Sequence, residues 1–396
     1  MVLFLHNRYR TTGGEERTVE DLLRLVREHL HEPAELLERD SASLGRARAA
    51  AGLVRGGLQP GDVARAVRLS GARVVHAHNL HPTLGWRALA AAREAGARVV
   101  LHLHQYRLVC AIGVCFTRGG ECTRCHGRDT LPGVRLRCRG SLPEAAAYGT
   151  ALSLWQHRLV EQADALIVPS AFARERLRAL GAPLPWDRVH VLAPPLWAHA
   201  APAGDGAPSR ELASATPATR PFALVASRLA PEKGVDVAIA ACRLAGIALV
   251  VAGEGPELAA LRRMAGGGSE PGAVGDLAGE RGEVTFVGRV DDAQLARLRA
   301  HASIALVPSR SAETFGMAAA EALAAGLPVA ASSVGALPEL LGEVSLAPPG
   351  DAPALAEAIA RVLADPDGAR RGRERVEAIC APEVVARALA DIYEGV

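Results

Sequence analysis

One stretch in the second half of the chain constrains the fold most, because it reads as strand, loop, helix and strand in immediate succession. The apolar run 304–307 stops at a proline and is followed by a polar loop, 309–314. Residues 315–325 are strong helix formers and end at Gly326, which suits the left-handed turn after a helix. A second apolar run starts at residue 327. This βαβ pattern predicts a parallel sheet, with the helix N-terminus at the edge where the strands end.

The start of this helix has the properties of an anion-binding site. Unpaired N–H groups and the positive end of the helix dipole favour a diphosphate there, and a glycine lets a ligand approach the backbone. We expect the diphosphate to contact four residues: Phe315, Gly316, Met317 and Ala318. Glu313 and Glu321 flank them and, since carboxylates repel phosphate, we expect them to accept hydrogen bonds from hydroxyl groups on either side. A nucleotide sugar has this order of groups, whereas a surface helix with two solvated glutamates is the plainer interpretation.

Charge and composition exclude several classes of protein. A chain of 396 residues suggests two domains, and 49% hydrophobic residues supply ample core material. The 45 basic and 43 acidic residues leave a net charge of +2, which argues against a nucleic-acid-binding surface. Basic residues cluster between Arg107 and Arg139, so we expect at most peripheral contact with a membrane.

Targeting signals are not evident in the sequence. The N-terminal segment has only a short apolar run without a basic leader, and no run of about 18 apolar residues follows it. We therefore expect a cytoplasmic protein. Its seven cysteines are then expected to be reduced thiols or metal ligands rather than disulfides.

The first half of the chain alternates strand and helix. Apolar runs at 2–5, 74–78 and 99–104 predict parallel strands, and helices are expected at 18–30 and 84–95. The loop after the first strand contains Gly13 and Gly14, a pair that lets the backbone approach a phosphate but also suits a plain βα turn. Histidines end the two later strands. His102 is expected to be buried, and for three others packing or solvation is the favoured interpretation: His76, His78 and His81.

A cysteine-rich insert spans 105–140, with cysteines at positions 110, 115, 122, 125 and 138. Cys122 and Cys125 have the spacing that lets two thiolates ligate one metal, and two further cysteines would complete a tetrahedral zinc site. A loop of reduced thiols is the alternative. The Cys-x-x-Cys-His pattern at 122–126 also matches a haem attachment site, which we reject because that chemistry needs export.

The second half opens after an Ala-, Pro-, Gly- and Ser-rich stretch, 198–220, which we interpret as a linker. A strand at 222–227 is followed by Arg228 and Lys233, two cations suited to a departing diphosphate, although solvated side chains are the plainer alternative. A Gly-x-Gly at 253–255 lacks the third glycine of a dinucleotide fingerprint, which disfavours NAD. A surface loop is expected at 266–275.

Several motifs together resemble a known family. Glu313-Thr-Phe-Gly316 followed by Glu321-Ala-Leu-Ala-Ala-Gly-Leu-Pro-Val resembles the E-x7-E signature of retaining GT-B glycosyltransferases of family 4, and the string SRLAPEKG resembles that family's donor-phosphate loop. The resemblance implies two Rossmann-like α/β domains with parallel sheets facing across a cleft. We place them at 1–198 and 221–382, joined by a linker at 199–220, with a terminal helix at 383–396 crossing back to the first domain.

The resemblance also implies roles for individual residues. Glu313 would orient the sugar and Glu321 the ribose, while Arg228 and Lys233 stabilise the departing diphosphate. The remaining contacts implied are Gly13 and Gly14 with the diphosphate, His104 with the sugar and phosphate, and Arg289 and Val290 with the base. Similar inserts retain a zinc ligand set that corresponds here to Cys110, Cys122, Cys125 and Cys138, with Cys115 or His126 as substitutes. The chemistry needs no catalytic metal, so any zinc is structural.

The function implied is transfer of a hexose-type sugar from a nucleotide donor, a UDP-sugar, to an acceptor hydroxyl with retention of configuration. The acceptor is a small molecule, a glycan or a lipid-linked molecule, and the sequence does not choose among them. Three alternatives stay open: a sugar-nucleotide epimerase or phosphorylase on the same scaffold, a non-catalytic nucleotide-sugar-binding protein, and a zinc-ribbon interaction module on a degenerate fold.

Overall fold

The computed structural model describes residues 1–9, 13–41, 43–197, 221–266 and 282–396. The predicted linker at 199–220 and most of the predicted loop at 266–275 lie outside these residues. The chain divides into two compact units. Unit 1 comprises Met1–Thr117, Cys122–Leu196 and Ile379–Val396, and unit 2 comprises Arg118–Glu121 and Trp197–Ala378. The domain boundaries inferred from the sequence stay a prediction.

The first part of the chain forms a six-stranded sheet in the order β2-β1-β3-β4-β7-β8, in which every neighbouring pair is parallel. Its elements are β1 (Val2–Arg8), α1 (Gly14–Glu28), β2 (Ala34–Asp40), α2 (Arg46–Arg55), α3 (Pro60–Ser70), β3 (Val74–Ala77), α4 (Gly85–Glu94), β4 (Arg98–His102), β5 (Phe116–Thr117), β6 (Gly120–Glu121), α5 (Leu131–Arg135), α6 (Leu142–Glu161), β7 (Ala165–Val168), α7 (Ala171–Ala179) and β8 (Val189–Val191).

Apolar runs become the central strands of this sheet. β1, β3 and β7 are buried almost throughout, as expected for parallel strands covered on both faces. β2 is not foreseen by the sequence interpretation. Its sequence, AELLERD, carries four charged residues and much of the strand is exposed, because it lies at the sheet edge. Edge strands need little apolar surface, so hydrophobic periodicity does not reveal them.

The second part forms another six-stranded parallel sheet, in the order β11-β10-β9-β12-β13-β14. Its elements are β9 (Phe222–Ala226), α8 (Val235–Ala245), β10 (Ala248–Ala252), α9 (Leu258–Met264), β11 (Val284–Gly288), α10 (Asp292–His301), β12 (Ile304–Val307), α11 (Met317–Ala324), β13 (Val329–Ser332), α12 (Leu337–Leu340), β14 (Leu346–Ala347) and α13 (Ala352–Leu363). The strand order reverses between β9 and β12, and ligands of open α/β sheets bind at such a point.

Two further helices end the chain, α14 (Gly368–Cys380) and α15 (Pro382–Glu394). α15 belongs to unit 1. Its Tyr393 is fully buried there, and its hydroxyl lies 2.7 Å from Nδ1 of His76 on β3. Arg98 at the start of β4 donates a hydrogen bond to the carbonyl of Ile392. The last helix is therefore part of the first unit's core.

Among the described residues, no helix is long and apolar enough to cross a membrane.

Candidate functional site

The carboxyl ends of the central strands of unit 2 carry most of the predicted donor-binding residues. Arg228 follows β9, the loop 308–316 follows β12, and Arg289 follows β11. β9 and β12 are neighbours and β11 is the outermost strand of the same parallel sheet, so the carboxyl ends of all three lie along one edge. Sequence reasoning located these residues correctly relative to the strands, and the contacts between their loops appear only in the structure.

The loop after β9 packs tightly against the loop after β12. The backbone carbonyl of Glu232 accepts hydrogen bonds from the N–H groups of Arg310 and Ser311. Gly234 has a φ of +64°, and a Cβ there would lie 2.1 Å from the carbonyl oxygen of Pro308. Only glycine permits this approach, so the position fixes the spacing between the two loops.

Lys233 and Glu313 meet at this junction. The Lys233 Nζ lies 2.7 Å from Oε1 of Glu313, and the Ser309 hydroxyl donates to the same oxygen at 2.6 Å. Burial by itself would raise the pKa of the Glu313 carboxyl. The charge of Lys233 and the hydrogen bonds from Lys233 and Ser309 outweigh that effect, so the pKa is lowered from 4.5. Glu313 is therefore ionised at neutral pH.

The backbone around Glu313 is fixed as well. Its carbonyl accepts a hydrogen bond from Ala336, at 2.9 Å. Gly335 lies so close that a Cβ would sit 2.3 Å from the Glu313 nitrogen. The turn before α12 therefore holds the loop that carries the predicted sugar-binding carboxylate.

The helix expected at 315–325 is shorter in the structure. α11 begins at Met317, because Gly316 takes a φ of +99° and lies just outside the helix. Glu321 is consequently the fifth residue of α11, two residues closer to the helix start than a helix beginning at residue 315 would place it. The backbone N–H groups of the predicted anion site are thus those at the Gly316 turn and the first turn of α11.

Glu321 has a partner that the sequence did not reveal. Arg299 of α10 donates to its carboxylate, and the two side chains are only 8% and 14% exposed. Arg299 and Glu321 lie on helices that follow different strands, β11 and β12, so no local sequence motif predicts their pairing. It holds the carboxylate predicted to bind ribose in one position.

The remaining unit 2 residues are less closely grouped. Arg228 pairs with Glu232, four residues along the chain, and its side chain is 57% exposed. Arg289 is exposed and Val290 half-buried after β11. The structure thus brings Lys233 and Glu313 into contact, while Arg228 and Glu321 each pair with another residue.

In unit 1, His104 lies just beyond β4 in a stack of histidines. Its Nε2 is 2.8 Å from Nδ1 of His78, and the two rings stack with centroids 5.1 Å apart. Behind them, Nε2 of His76 lies 3.3 Å from Nδ1 of His102. His76, His78 and His102 are all buried, as predicted for packed histidines.

This histidine stack also forms a group of possible metal ligands. Within the described residues, the group whose ligand atoms all lie within 4.8 Å of one another is His76, His78 and His102. Two of its nitrogens are engaged in the contact between His76 and His102, and Tyr393 occupies the other nitrogen of His76. These contacts indicate that the three histidines are hydrogen-bonded residues of the core.

The predicted glycine pair opens α1. Gly13 precedes the helix and Gly14 is its first residue, four residues earlier than the predicted start. The Gly13 N–H donates to Oε2 of Glu16 at 2.8 Å. The Glu16 carboxylate therefore already accepts a hydrogen bond from the N–H group that is predicted to contact the diphosphate. A phosphate that binds there would have to displace this carboxylate.

The five clustered cysteines line one pocket of about 360 Å³, counting the part open to solvent. The hydrogen bond with Cys115 lowers the pKa of Cys110 to about 6, against the opposing effect of burial. Burial raises the pKa of Cys125 to about 11. His126 packs against Gly181 and is not among the lining residues. Among the described residues, no three of the cysteine sulfurs lie within 4.8 Å of one another.

Family models match almost the whole chain in two parts. Residues 10–195 match "Glycosyl transferase 4-like domain" and residues 211–378 match "Glycosyl transferases group 1". The chain contains these two glycosyltransferase domains. The 4-like domain carries the histidine stack and the cysteines, and the group 1 domain carries the contact between Lys233 and Glu313.

Curated relatives are named as glycosyltransferases. A D-inositol 3-phosphate glycosyltransferase of Mycolicibacterium gilvum is 32% identical over 262 residues, which are 65% of this chain and 56% of that protein. A GDP-mannose-dependent alpha-(1-6)-phosphatidylinositol monomannoside mannosyltransferase of Mycobacterium tuberculosis is 34% identical over 44% of this chain and 48% of its own length. The chain thus spans about half the length of the curated relatives it matches.

Solved structures share the fold across the whole chain. HepE of Anabaena, solved with UDP, has a TM-score of 0.62 at 18% identity, covering 100% of both chains. The sucrose-phosphate synthase of Thermosynechococcus elongatus has a TM-score of 0.65 at 21% identity, covering 100% of this chain and 98% of its own. Together with the two parallel-sheet α/β domains, these likenesses confirm the predicted GT-B fold class.

The buried pair in the group 1 domain predicts a large stability effect. Arg299→Met should lower the free energy of unfolding by about 3–5 kcal/mol, because it leaves the Glu321 carboxylate buried without its cation. Replacing both residues by methionine should recover most of this loss. Chemical denaturation of the three variants measures it. Arg370→Met, which removes exposed ion pairs with Asp367 and Glu374, is the control and should lower the free energy of unfolding far less than Arg299→Met does. Equal losses in Arg299→Met and the control would contradict the assignment.

The histidine stack predicts destabilisation in acid. Burial, with a smaller effect of His104, lowers the pKa of His76 from 6.5 to about 3, and burial lowers the pKa of His78 and His102 in the same direction. The unfolded chain therefore binds more protons below pH 6.5, so the free energy of unfolding should fall from there down to about pH 3, by at most ~1.4 kcal/mol per pH unit for each histidine.

Urea unfolding at a series of pH values measures this dependence. His76→Gln should reduce the slope, whereas His301→Gln, at an exposed position on α10, should leave it unchanged. A slope that is identical in both variants and the wild type would show that His76 does not contribute.

Proposed function

We propose that the protein is a retaining glycosyltransferase that moves a hexose-type sugar from a UDP-sugar to an acceptor hydroxyl. The observation that carries the proposal is the contact between Lys233 and Glu313 beside the start of α11. It places a cation, an ionised carboxylate and the backbone N–H groups at the start of α11 near one sheet edge. A donor with a diphosphate next to sugar hydroxyls needs this combination.

The choice of donor rests on the structural neighbours. HepE was solved with UDP and with UDP-glucose, and starch synthase IV of Arabidopsis thaliana with ADP and acarbose. The curated relatives include a GDP-mannose-dependent enzyme. Each of these proteins was solved with a nucleoside diphosphate or is named for a nucleotide sugar, and we favour UDP because HepE was solved with UDP, with UDP and glucose, and with UDP-glucose.

The protein's role in this reaction is electrostatic. The bond between the sugar and the diphosphate breaks, the acceptor oxygen bonds to the same face of the sugar, and the acceptor proton passes to the departing diphosphate. Lys233, Arg228 and the N–H groups at the Gly316 turn stabilise the charge that develops on the diphosphate. Glu313 orients the sugar hydroxyls and Glu321, held by Arg299, the ribose. His104 contacts the sugar and phosphate, and Arg289 and Val290 the base.

Lys233→Ala should lower the turnover number about tenfold or more, since the developing phosphate charge loses its partner. Candidate donors are first found by thermal shift with UDP-glucose, GDP-mannose and ADP-glucose, and hydrolysis of the best donor is then measured. Arg243→Ala, at an exposed position on α8, is the control. Equal turnover in both variants would show that Lys233 does not stabilise the departing diphosphate. If the protein forms an epimerised nucleotide sugar without acceptor, the epimerase alternative replaces the transferase proposal. If the reaction requires inorganic phosphate, the phosphorylase alternative replaces it.

We further propose that the cysteine cluster holds a structural zinc ion through Cys110, Cys122, Cys125 and Cys138. The thiols are the right donors, and all four line the same pocket together with Cys115. Zinc binding requires the loops that carry them to close around the ion. The ion would stabilise the insert and take no part in the transfer.

Serine substitution of Cys122 and Cys125 should lower the zinc content and the thermal midpoint together, because the ion binds only the folded insert. Elemental analysis and calorimetry measure the two quantities. Cys242→Ser, at a buried cysteine of α8 outside the cluster, controls for loss of packing alone and should keep the zinc. Wild-type protein that is purified with zinc in the medium and contains none would rule out the site.

A further inference from the structure

Two of the clustered cysteines, Cys110 and Cys115, are in direct contact. They begin and end the segment CAIGVC, and the thiol of Cys115 donates a hydrogen bond to the sulfur of Cys110. Cys115 is 1% exposed, whereas Cys110 is half-buried. Solvent therefore reaches one sulfur of this thiol pair, and the other sulfur is buried in contact with it.

The backbone of the segment holds Cys110 in this contact. The N–H groups of Ile112, Gly113 and Cys115 each donate to its sulfur. The Gly113 N–H also donates to the Cys110 carbonyl at 2.9 Å, which closes the turn. A disulfide forms without backbone movement only where two cysteine side chains already point at each other. The fold of the segment supplies that arrangement for the thiol pair.

Other sulfurs of the cluster make different contacts. The sulfur of Cys125 accepts a hydrogen bond from the Gly133 N–H, and the Cys138 thiol is hydrogen-bonded to the Thr117 hydroxyl. Cys110 instead contacts another thiol. Spacing along the chain would favour Cys122 and Cys125 as a redox pair, whereas the contacts favour Cys110 and Cys115.

The thiol pair overlaps the zinc ligand set proposed above. Cys110 belongs to that set and Cys115 does not, although both line the same pocket. Zinc binds cysteine as the thiolate, and a sulfur in a disulfide carries no such charge. A bond between Cys110 and Cys115 leaves three of the four proposed ligands. The disulfide and the four-cysteine zinc site are therefore alternatives.

We propose that Cys110 and Cys115 form a disulfide on reaction with a hydroperoxide, and that this bond and the zinc ion exclude each other. The exclusion rests on the proposed zinc site, whereas formation of the disulfide does not. The Cys110 thiolate attacks a peroxide oxygen, the O–O bond breaks, and Cys110 becomes a sulfenic acid as hydroxide leaves. The Cys115 sulfur then attacks the Cys110 sulfur, and the hydroxyl group leaves with the Cys115 proton as water. Two thiols are oxidised, and one hydrogen peroxide is reduced to two waters.

Mass spectrometry of the full chain tests the thiol pair. Protein stripped of zinc with a chelator is treated with a small excess of hydrogen peroxide, unfolded, alkylated and digested with trypsin. Cleavage after arginine leaves Cys110 and Cys115 together in the peptide 108–118 and places Cys122, Cys125 and Cys138 in separate peptides. Peptide 108–118 should escape alkylation at both cysteines and weigh two hydrogens less than its reduced form. Dithiothreitol should reverse the change.

Zinc content tests the exclusion. Zinc-loaded protein should form the disulfide about tenfold more slowly than stripped protein, and oxidised protein should retain about tenfold less zinc after dialysis. Cys115→Ser leaves the proposed ligand set intact, so it should bind zinc like the wild type and form no disulfide in peptide 108–118. Cys242→Ser, at a buried cysteine of α8 outside the cluster, is the matched control and should oxidise as the wild type does.

The peptides also show which result overturns the proposal. If peroxide links Cys122 to Cys125 while peptide 108–118 stays fully alkylated, the thiol pair is rejected. Full zinc content in protein whose peptide 108–118 is oxidised would reject the exclusion. A wild type that binds no zinc but is oxidised within 108–118 would reject the zinc site and sustain the thiol pair, so failure of one proposal is distinguishable from failure of the other.

Discussion

The contact between Lys233 and Glu313 is the interaction on which the candidate donor site depends. A carboxylate that is mostly buried needs a cation beside it, and here the cation comes from the loop after a neighbouring strand. That requirement explains the glycine at 234, which lets the two loops touch. Removing the lysine would leave the buried Glu313 carboxylate without its cation as well as weaken the proposed phosphate binding. Stability and ligand binding are therefore coupled at this point.

Much of the fold is predictable because buried parallel strands have a strong sequence signal. The runs predicted at 74–78, 222–227 and 304–307 become β3, β9 and β12, with bounds within one residue of those expected. Helix α1 starts earlier than predicted, because its first turn is polar and carries no apolar period. An exposed edge strand such as β2 is not predicted for a related reason, because it buries few apolar side chains.

The candidate site is predictable in its residues but not in their pairing. Motifs identify Glu321 as a functional candidate, yet its partner Arg299 lies on another helix and is one of many arginines in the chain. Likewise, the glycine pair predicts a phosphate contact at Gly13, and only the structure shows that the Gly13 N–H donates to Glu16. Such pairings depend on tertiary geometry, which a single sequence does not encode in any local pattern.

The position of Tyr393 has a consequence for how the protein matures. Its hydroxyl closes the histidine stack of unit 1, but the ribosome makes it only after all of unit 2. The strands of unit 1 are thus available early in synthesis, while the helix that covers His76 arrives late. Until then the His76 ring lacks this partner, so the first unit completes its packing only after the second has been translated.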